Sequence, residues 1–299
     1  MKLNVSFNGF KKNHKNKKNQ ILYISKKCKN YENVENIFRI VLSEKNSFIF
    51  ESVEKGKIKG RYTIIGLSPD KVWDFNKNNV SIYAKGKKKN LKVDPLNYIN
   101  NLISNFKIKI PKNLPSMSSM LVGYFSYDTI RYIEKIPNKC KDDLHIPDVR
   151  LFRPENLIIY DDLKKKIFFI SNIYSEKKIG NYQEEYQNIK NKLNSFIDYE
   201  YLKVPSQLTF KKNLNKIKSN ISKEKFLKIV KKAKNYIKKG DIFQVVLSQR
   251  FERKLTKKPI EIYDSLRITN PSPFMFFFNF QDFKVLGSSP EILVRLRKK

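Results

Sequence analysis

Residues 270–280 read NPSPFMFFFNF, two prolines set directly before a run of phenylalanine and methionine. Each proline removes a backbone donor and pushes the residue before it toward an extended conformation, so 270–273 is expected to form a stiff, non-helical arm. The aromatic run behind it suits a strand, because Phe and Met pack well on a half-buried pleated surface. Such an arm is either a rigid connection or a holder for a ligand. Gln244, within GDIFQVVLSQRF at 240–251, poses a similar choice. Read as a strand over 242–251, this run places Phe243, Val245, Leu247, Gln249 and Phe251 on one face and Ile242, Gln244, Val246, Ser248 and Arg250 on the other. The half-polar second face belongs either to an edge strand with a wet side or to a pocket that Gln244 helps to line.

Other chemistries lack their residues. Cys28 and Cys140 are far apart without Cys-x-x-Cys spacing, which indicates neither a zinc site nor a disulfide framework and fits a reducing cytosol. His14 lies in a lysine–asparagine run and His145 stands alone before Ile146 and Pro147; solvent-exposed or capping roles are expected for both. There is no Gly-rich phosphate loop, no carboxylate pair at catalytic spacing and no internal repeat.

The elements that must position these residues are β-rich at first. FIFES ending at Ser52, a Lys/Gly-rich turn over 54–60 and RYTIIG from Arg61 read as a hairpin, with further short strands at 72–75 and 80–83. Asp94 and Pro95 open a helix through Leu96, Ile99, Leu102, Ile103 and Phe106. MLVGYFSY at 120–127 reads as a strand in which Gly123 marks a bulge or a close backbone approach. Strands at 157–160 and 166–173 precede a helix over 182–196. Little periodicity follows until Ser222 caps a helix with the apolar stripe Phe226, Ile229, Val230, Ala233, Tyr236 and Ile237, stopped by Gly240. Pro259 opens another helix to about Ile268, and a hairpin turns at Gln281 and Asp282.

At 299 residues, 40% hydrophobic and 13% aromatic, the chain can bury a large core, as one domain or two. No apolar run approaches the ~20 residues that span a bilayer. The KKNHKNKK run at 11–18 precedes no apolar segment, which argues against a secretory signal; the absence of acidic residues from the first thirty leaves a transit peptide open, and the lack of arginine and scarcity of serine there count against it. The net charge of +34 invites a nucleic-acid reading. Scattered lysines and the near absence of alanine, found only at Ala84 and Ala233, fit compositional drift better. The expectation is no nucleic acid and no membrane.

Four segments in order resemble component I of anthranilate synthase, the chorismate-using subunit of tryptophan biosynthesis. They are FESVEKGKIKGRYTIIGLSP (50–69), VGYFSYDTIRYIEKIP (122–137), GDIFQVVLSQRF (240–251) and NPSPFMFFFNFQDFKVLGSSPEILVRL (270–296). The resemblance implies an α+β fold of layered, mostly antiparallel β-sheets flanked by helices, with its C-terminal part missing here. It implies a regulatory N-terminal region over 1–200, a linker over 201–219 and the beginning of a chorismate-binding catalytic domain over 220–299. By motif it assigns Ser52, Pro273, Phe274 and Met275 to the pocket of the feedback inhibitor tryptophan. A proline-stiffened arm loses little entropy on holding a ligand, Pro and Met faces suit an indole, and Ser52 offers a hydrogen bond.

Gln244 is the substrate-pocket candidate. Related isochorismate-forming enzymes carry a lysine there to activate water, whereas glutamine suits attack by ammonia. Aminodeoxychorismate synthase component I also tends to have glutamine, but with VNL in the strand and no NPSP-aromatic-Met arm. The implied reaction converts chorismate and ammonia to anthranilate and pyruvate with Mg²⁺, in the cytoplasm, the ammonia coming from a glutamine amidotransferase partner. The family's histidine and glutamates that handle substrate and Mg²⁺ fall beyond Lys299, so no catalytic residue or metal ligand is assigned within 1–299. A truncated or split form inactive alone is therefore expected, and the sheet begun at Gly240 should expose edges and apolar surface. The alternatives are an aminodeoxychorismate synthase component I-like enzyme, a non-catalytic tryptophan-binding module, or a basic nucleic-acid binder on a reused fold.

Overall fold

The computed structural model describes residues 1–54, 57, 58, 60–202 and 216–296. In chain order they form α1 (Phe7–Lys15), β1 (Gln20–Lys27), α2 (Tyr31–Val41), β2 (Ser47–Glu51), β3 (Val53–Glu54), β4 (Lys57–Ile58), β5 (Tyr62–Asn76), β6 (Asn79–Ala84) and β7 (Lys87–Lys92). There follow α3 (Pro95–Asn105), β8 (Val122–Phe125), β9 (Val149–Asp161), β10 (Lys166–Ile173), α4 (Tyr182–Asp198), β11 (Lys218–Ser219), α5 (Lys223–Lys239), β12 (Phe251–Glu252), α6 (Pro259–Thr269), β13 (Phe274–Asn279) and β14 (Lys284–Ser289). They fall into two compact units, one within Met1–Ser206 and Tyr263–Lys299, the other within Gln207–Ile262.

The first unit is built on an antiparallel sheet in the order β1-β10-β9-β5-β2-β13-β14, with β6, β7 and β8 attached off this path. The α+β architecture of antiparallel sheet and flanking helices is thus as expected. β5 is its hinge. The sequence suggests separate strands at 61–66 and 72–75, but β5 runs unbroken from Tyr62 to Asn76 along β9. A register shift between Pro69 and Lys71, with Ser68 in the left-handed region at φ 50°, bends it. Its first half pairs with β2 and its second half with β6. Gly66 is required at the first pairing, because a Cβ there would lie 2.0 Å from the Phe48 ring.

Phe48, Phe152, Leu157, Ile159, Phe168, Ile170, Phe278 and Phe280 form the main core, and Trp73, Phe75, Val80, Ile99, Val149 and Leu151 a second cluster under α3. Burying each such aromatic contributes roughly 1.5–3 kcal/mol. The helices follow from their caps. Asp94 accepts from Asn97 N with Pro95 in the first turn of α3, and Ser222 and Gly240, at φ 76°, close α5.

Two further sequence expectations are corrected. His14 is neither exposed nor a cap: it is buried in α1, its Nδ1 3.0 Å from the Tyr182 hydroxyl, because α1 lays Phe10 and His14 against Tyr182 and Tyr186 of α4. The strand expected over 242–251 is absent except for residues 251–252. Among the described residues no second strand lies along 242–249, and Arg250 joins Asn220 beside the short β11–β12 pair, its N–H donating to the Asn220 side chain at 2.9 Å and its carbonyl accepting from Asn220 N at 3.0 Å. Phe243 is fully exposed and Val246 nearly so, so the apolar surface expected after Gly240 is there. Most of the linker expected over 201–219 lies outside the described residues.

Candidate functional site

The geometry of β2 and β13 creates the site. They pair antiparallel with Met275 opposite Glu51, Phe276 opposite Phe50 and Phe278 opposite Phe48. Side chains alternate between faces, so the pairing sorts them. Phe48, Phe50, Phe276 and Phe278 pack together on one face, with ring centroids of Phe50 and Phe278 5.4 Å apart. Glu51, Met275 and Phe277 turn to the other, where Phe277 meets Tyr263 of α6 at 5.6 Å.

On the first face lies an apolar cavity of about 520 Å³, lined by Phe50, Glu51, Ser52, Tyr62, Ile64, Gly123, Tyr124, Pro273, Phe274, Met275, Phe276, Phe278 and Val285. Gly123 belongs to its wall for a steric reason: a Cβ there would sit 1.8 Å from the Arg150 carbonyl oxygen, so only glycine lets β8 approach β9 this closely. Burial pushes the Tyr124 hydroxyl above its ordinary pKa, and it donates to the Pro147 carbonyl at 2.8 Å. Glu51 turns its side chain to the other face, so the lining is mainly aromatic and apolar, with the Ser52 hydroxyl as a polar group at its rim.

The arm that closes one side is held by specific bonds. Val53 N donates to the Ser272 carbonyl at 2.9 Å, and the Ser288 hydroxyl donates to the Asn270 carbonyl at 2.6 Å. The Ser272 hydroxyl accepts from Phe274 N at 3.3 Å and lies 3.5 Å from Met275 Sδ. Ser52, Pro273, Phe274 and Met275, assigned together from sequence, therefore meet at one cavity. Met275 is 1% exposed, and alternation places its side chain on the Glu51 side, so its share of the cavity wall is main chain. Gln244 is exposed in the second unit and is not among the residues lining this cavity.

Behind the cavity, on the helix face, sits a cluster that sequence reasoning missed. The Glu51 carboxylate, 0% exposed, accepts from the Tyr263 hydroxyl at 2.7 Å and the Tyr31 hydroxyl at 3.0 Å. Arg267 Nη2 reaches it at 3.3 Å, and Nε lies 2.8 Å away in an ion pair whose angle falls short of a hydrogen bond. Arg267 also donates to Glu35 at 3.0 Å, and Arg39 to Asp264 at 2.6 Å. Burial and then the Glu51 charge push the Tyr263 and Tyr31 hydroxyls well above their ordinary pKa. Burial works against the Arg267 cation, but Glu51, Tyr31 and Glu35 more than offset it and keep it charged. The signal in the sequence was a carboxylate closing the apolar run FIFE, with Tyr263 and Arg267 one helical turn apart.

The far end of the β13–β14 hairpin is held by Arg150. Its guanidinium bonds Asp74 through Nε at 2.6 Å and Nη2 at 2.7 Å, and also bonds Asp282 in the hairpin turn. It stacks over Phe283 at 5.0 Å. Beside it opens a polar cavity of about 610 Å³, lined by residues including Asp70, Lys85, Lys87, Lys88 and Asp282.

Among the described residues no group of three or more His, Cys, Asp or Glu side chains could hold a metal ion, and no helix is long and apolar enough to cross a membrane. A family profile described as "chorismate binding enzyme" matches residues 45–299. The chain is similar to an anthranilate synthase component 1 of Cereibacter sphaeroides, 35% identical over 99% of this chain and 60% of the relative. An anthranilate synthase component 1 of Acetivibrio thermocellus is 38% identical over 83% of this chain and 51% of the relative. The crystal structure of anthranilate synthase component I from Streptococcus pneumoniae superposes with a TM-score of 0.62 at 28% identity, over 79% of this chain and 51% of that one. The chain thus spans about half to three-fifths of the length of these relatives.

Proposed function

The chain belongs to the family of chorismate binding enzymes, and from that premise we propose that it is the chorismate-using component of an anthranilate synthase, acting in tryptophan biosynthesis. The observation that carries this reading is the convergence of Ser52 with Pro273, Phe274 and the Met275 backbone on one aromatic cavity, from segments more than 200 residues apart in sequence. The cavity is the tryptophan inhibitor site in this proposal. Its aromatic walls suit an indole, and the Ser52 hydroxyl suits the polar end of an amino acid.

The reaction proposed is attack of ammonia on chorismate with loss of pyruvate to give anthranilate. The relatives' names number them as a first component, which supports a second one, proposed here to be a glutamine amidotransferase delivering ammonia in the cytoplasm. Mg²⁺ enters through the resemblance alone. The described residues offer it no ligand set, so no step is assigned to a metal or to a side chain of this chain, and Gln244 stays a candidate for the substrate pocket.

Two measurements test the proposal. Calorimetry with L-tryptophan should show binding to the chain, weakened roughly ten-fold by Ser52→Ala through loss of one hydrogen bond. No binding by a folded chain sinks the cavity assignment. Anthranilate fluorescence after mixing chorismate, ammonium and Mg²⁺ with the chain, alone and together with an added C-terminal half of a relative, tests synthesis. In such a completed enzyme, replacing Ser52 or Met275 should relieve tryptophan inhibition and spare turnover; unchanged inhibition in both variants would overturn the site.

A further inference from the structure

Glu51 and Ser52 are neighbours in sequence with separate tasks: Ser52 lines the cavity, while the Glu51 carboxylate points away from it, fully withdrawn from solvent. A carboxylate placed there is expensive unless it organises something. Its donors are arranged along one helix. Tyr263 and Arg267 lie one turn apart on α6, and α6 leads straight into the arm, with Asn270 N donating to the Leu266 carbonyl at 2.9 Å. Four residues beyond Asn270, Phe274 lines the cavity wall. The strand side is tied to the same arm: Val53 N holds the Ser272 carbonyl, and Met275 is the register partner of Glu51. One carboxylate therefore joins the strand that carries Ser52 to the helix that launches Pro273 and Phe274.

We propose that Glu51 and Arg267 are positioning residues: their buried ion pair sets the spacing between Ser52 and the 270–274 arm, and through it the affinity of the cavity for an aromatic amino acid that neither side chain touches. The identity of that ligand rests on the functional reading above; the positioning itself does not. Arg267 is suited to the task because its fork also engages Glu35 and stacks over Phe38, so its place is fixed from α2 as well as from β2. Tyr31, bonded to Glu51 and 3.3 Å from the Thr63 hydroxyl, ties in β5, and Arg39 with Asp264 joins α2 to α6. An arm anchored this way loses little freedom when a ligand arrives, and an unanchored one must be ordered at the expense of binding.

Hydrogen exchange on the full chain, read by mass spectrometry, tests this without any ligand. In Arg267→Met, amides of 270–276 and of Val53 should exchange roughly ten-fold faster than in the wild type, while those of β9 and β10 stay unchanged. Arg267→Lys keeps the charge but not the fork or the stack and should restore only part of the protection, a partial rescue that separates the charge from the geometry. Glu51→Gln, which preserves shape and an acceptor, provides the same comparison if Arg267→Met does not fold. A rise spread evenly over the sheet, or none at 270–276, overturns the proposal. Calorimetry with L-tryptophan then adds the ligand: Arg267→Met should weaken binding roughly ten-fold relative to wild type. A wild-type chain that binds no tryptophan overturns the ligand reading alone, because the exchange pattern decides the positioning by itself. Equal tryptophan affinity in a folded Arg267→Met overturns the link to the cavity.

Discussion

β13 is paired on both sides, with β2 through Met275 to Asn279 and with β14 through Phe274 to Asn279, and Phe277 and Phe278 are buried. Residues 242–249 carry Phe243, Val245, Val246 and Leu247 in a comparably apolar run, have no ladder partner among the described residues and leave Phe243 100% exposed. Composition does not separate the two. The difference is that β13 turns back on itself at Gln281 and Asp282 and finds β2 already hydrogen-bonded to β5, whereas 242–249 follows α5 directly with only the two-residue β11–β12 pair nearby in sequence. A strand propensity is a statement about a surface that has neighbours, and without them it predicts exposed hydrophobic groups rather than structure.

The sharpest way to break this comparison is to truncate one phenylalanine in each region. Phe48→Ala removes a ring at 0% exposure that packs on Phe50, Phe152 and Phe278, and should destabilise the chain by about 3–5 kcal/mol. Phe243→Ala should change stability by less than about 0.5 kcal/mol. Urea denaturation followed by far-ultraviolet circular dichroism reads both. A large loss for Phe243→Ala would mean that 242–249 is packed in solution and that the contrast is false.

A second variant tests whether close backbone approach, rather than apolar filling, shapes the cavity wall. Gly123→Ala places a methyl group against the Arg150 carbonyl, a main-chain atom that cannot swing aside. The expected loss is about 2–3 kcal/mol, accompanied by faster exchange of the β8 amides that pair with 149–152 of β9. A neutral outcome would show that β8 is free to shift and that the wall near Tyr124 is adjustable.

Gly123 was also legible before the structure, and the reason is instructive. Local signals survived: Gly123 within MLVGYFSY, Asp94 with Pro95, Ser222 with Gly240, and the prolines before Phe274 each act within a few residues. Signals that depend on distant partners did not. α1 hid inside a lysine–asparagine run because its burial rests on Tyr182 and Tyr186 of α4, and α2 went unread although Val34, Ile37, Phe38 and Val41 form a buried stripe. β5 reads as two strands in the sequence because its bend at Pro69 resembles a turn, and only pairing with β9 makes it continuous. Of the site, the residues facing the cavity were found through a recognisable motif. The Glu51 cluster was not, since its bonds join positions 212 and 216 residues apart, and nothing near Glu51 announces Tyr263 or Arg267.

The two ends of the β13–β14 hairpin offer the finest test, because both are held by an arginine and a carboxylate but in different solvent. Glu51 is withdrawn from water, whereas Asp282, which bonds Arg150, has a side chain 58% exposed. Partial burial raises the Asp282 carboxyl pKa, but the Arg150 hydrogen bond and charge more than offset that, leaving it below the ordinary aspartate value. A depressed folded value means that the bond stabilises the chain above the ordinary pKa of about 4 and that this contribution fades as pH falls through the folded value. Because the pair is solvated, its worth at neutral pH should be less than about 1 kcal/mol. Asp282→Asn should therefore be slightly less stable than the wild type at pH 7 in urea denaturation, and the difference should shrink toward zero as pH falls below the ordinary aspartate pKa and through the lower folded value. A difference that persists in acid would show that Asp282 acts through its turn geometry, as a hydrogen-bonding residue of the Gln281–Asp282 bend, and that only the buried end of the hairpin is held by charge.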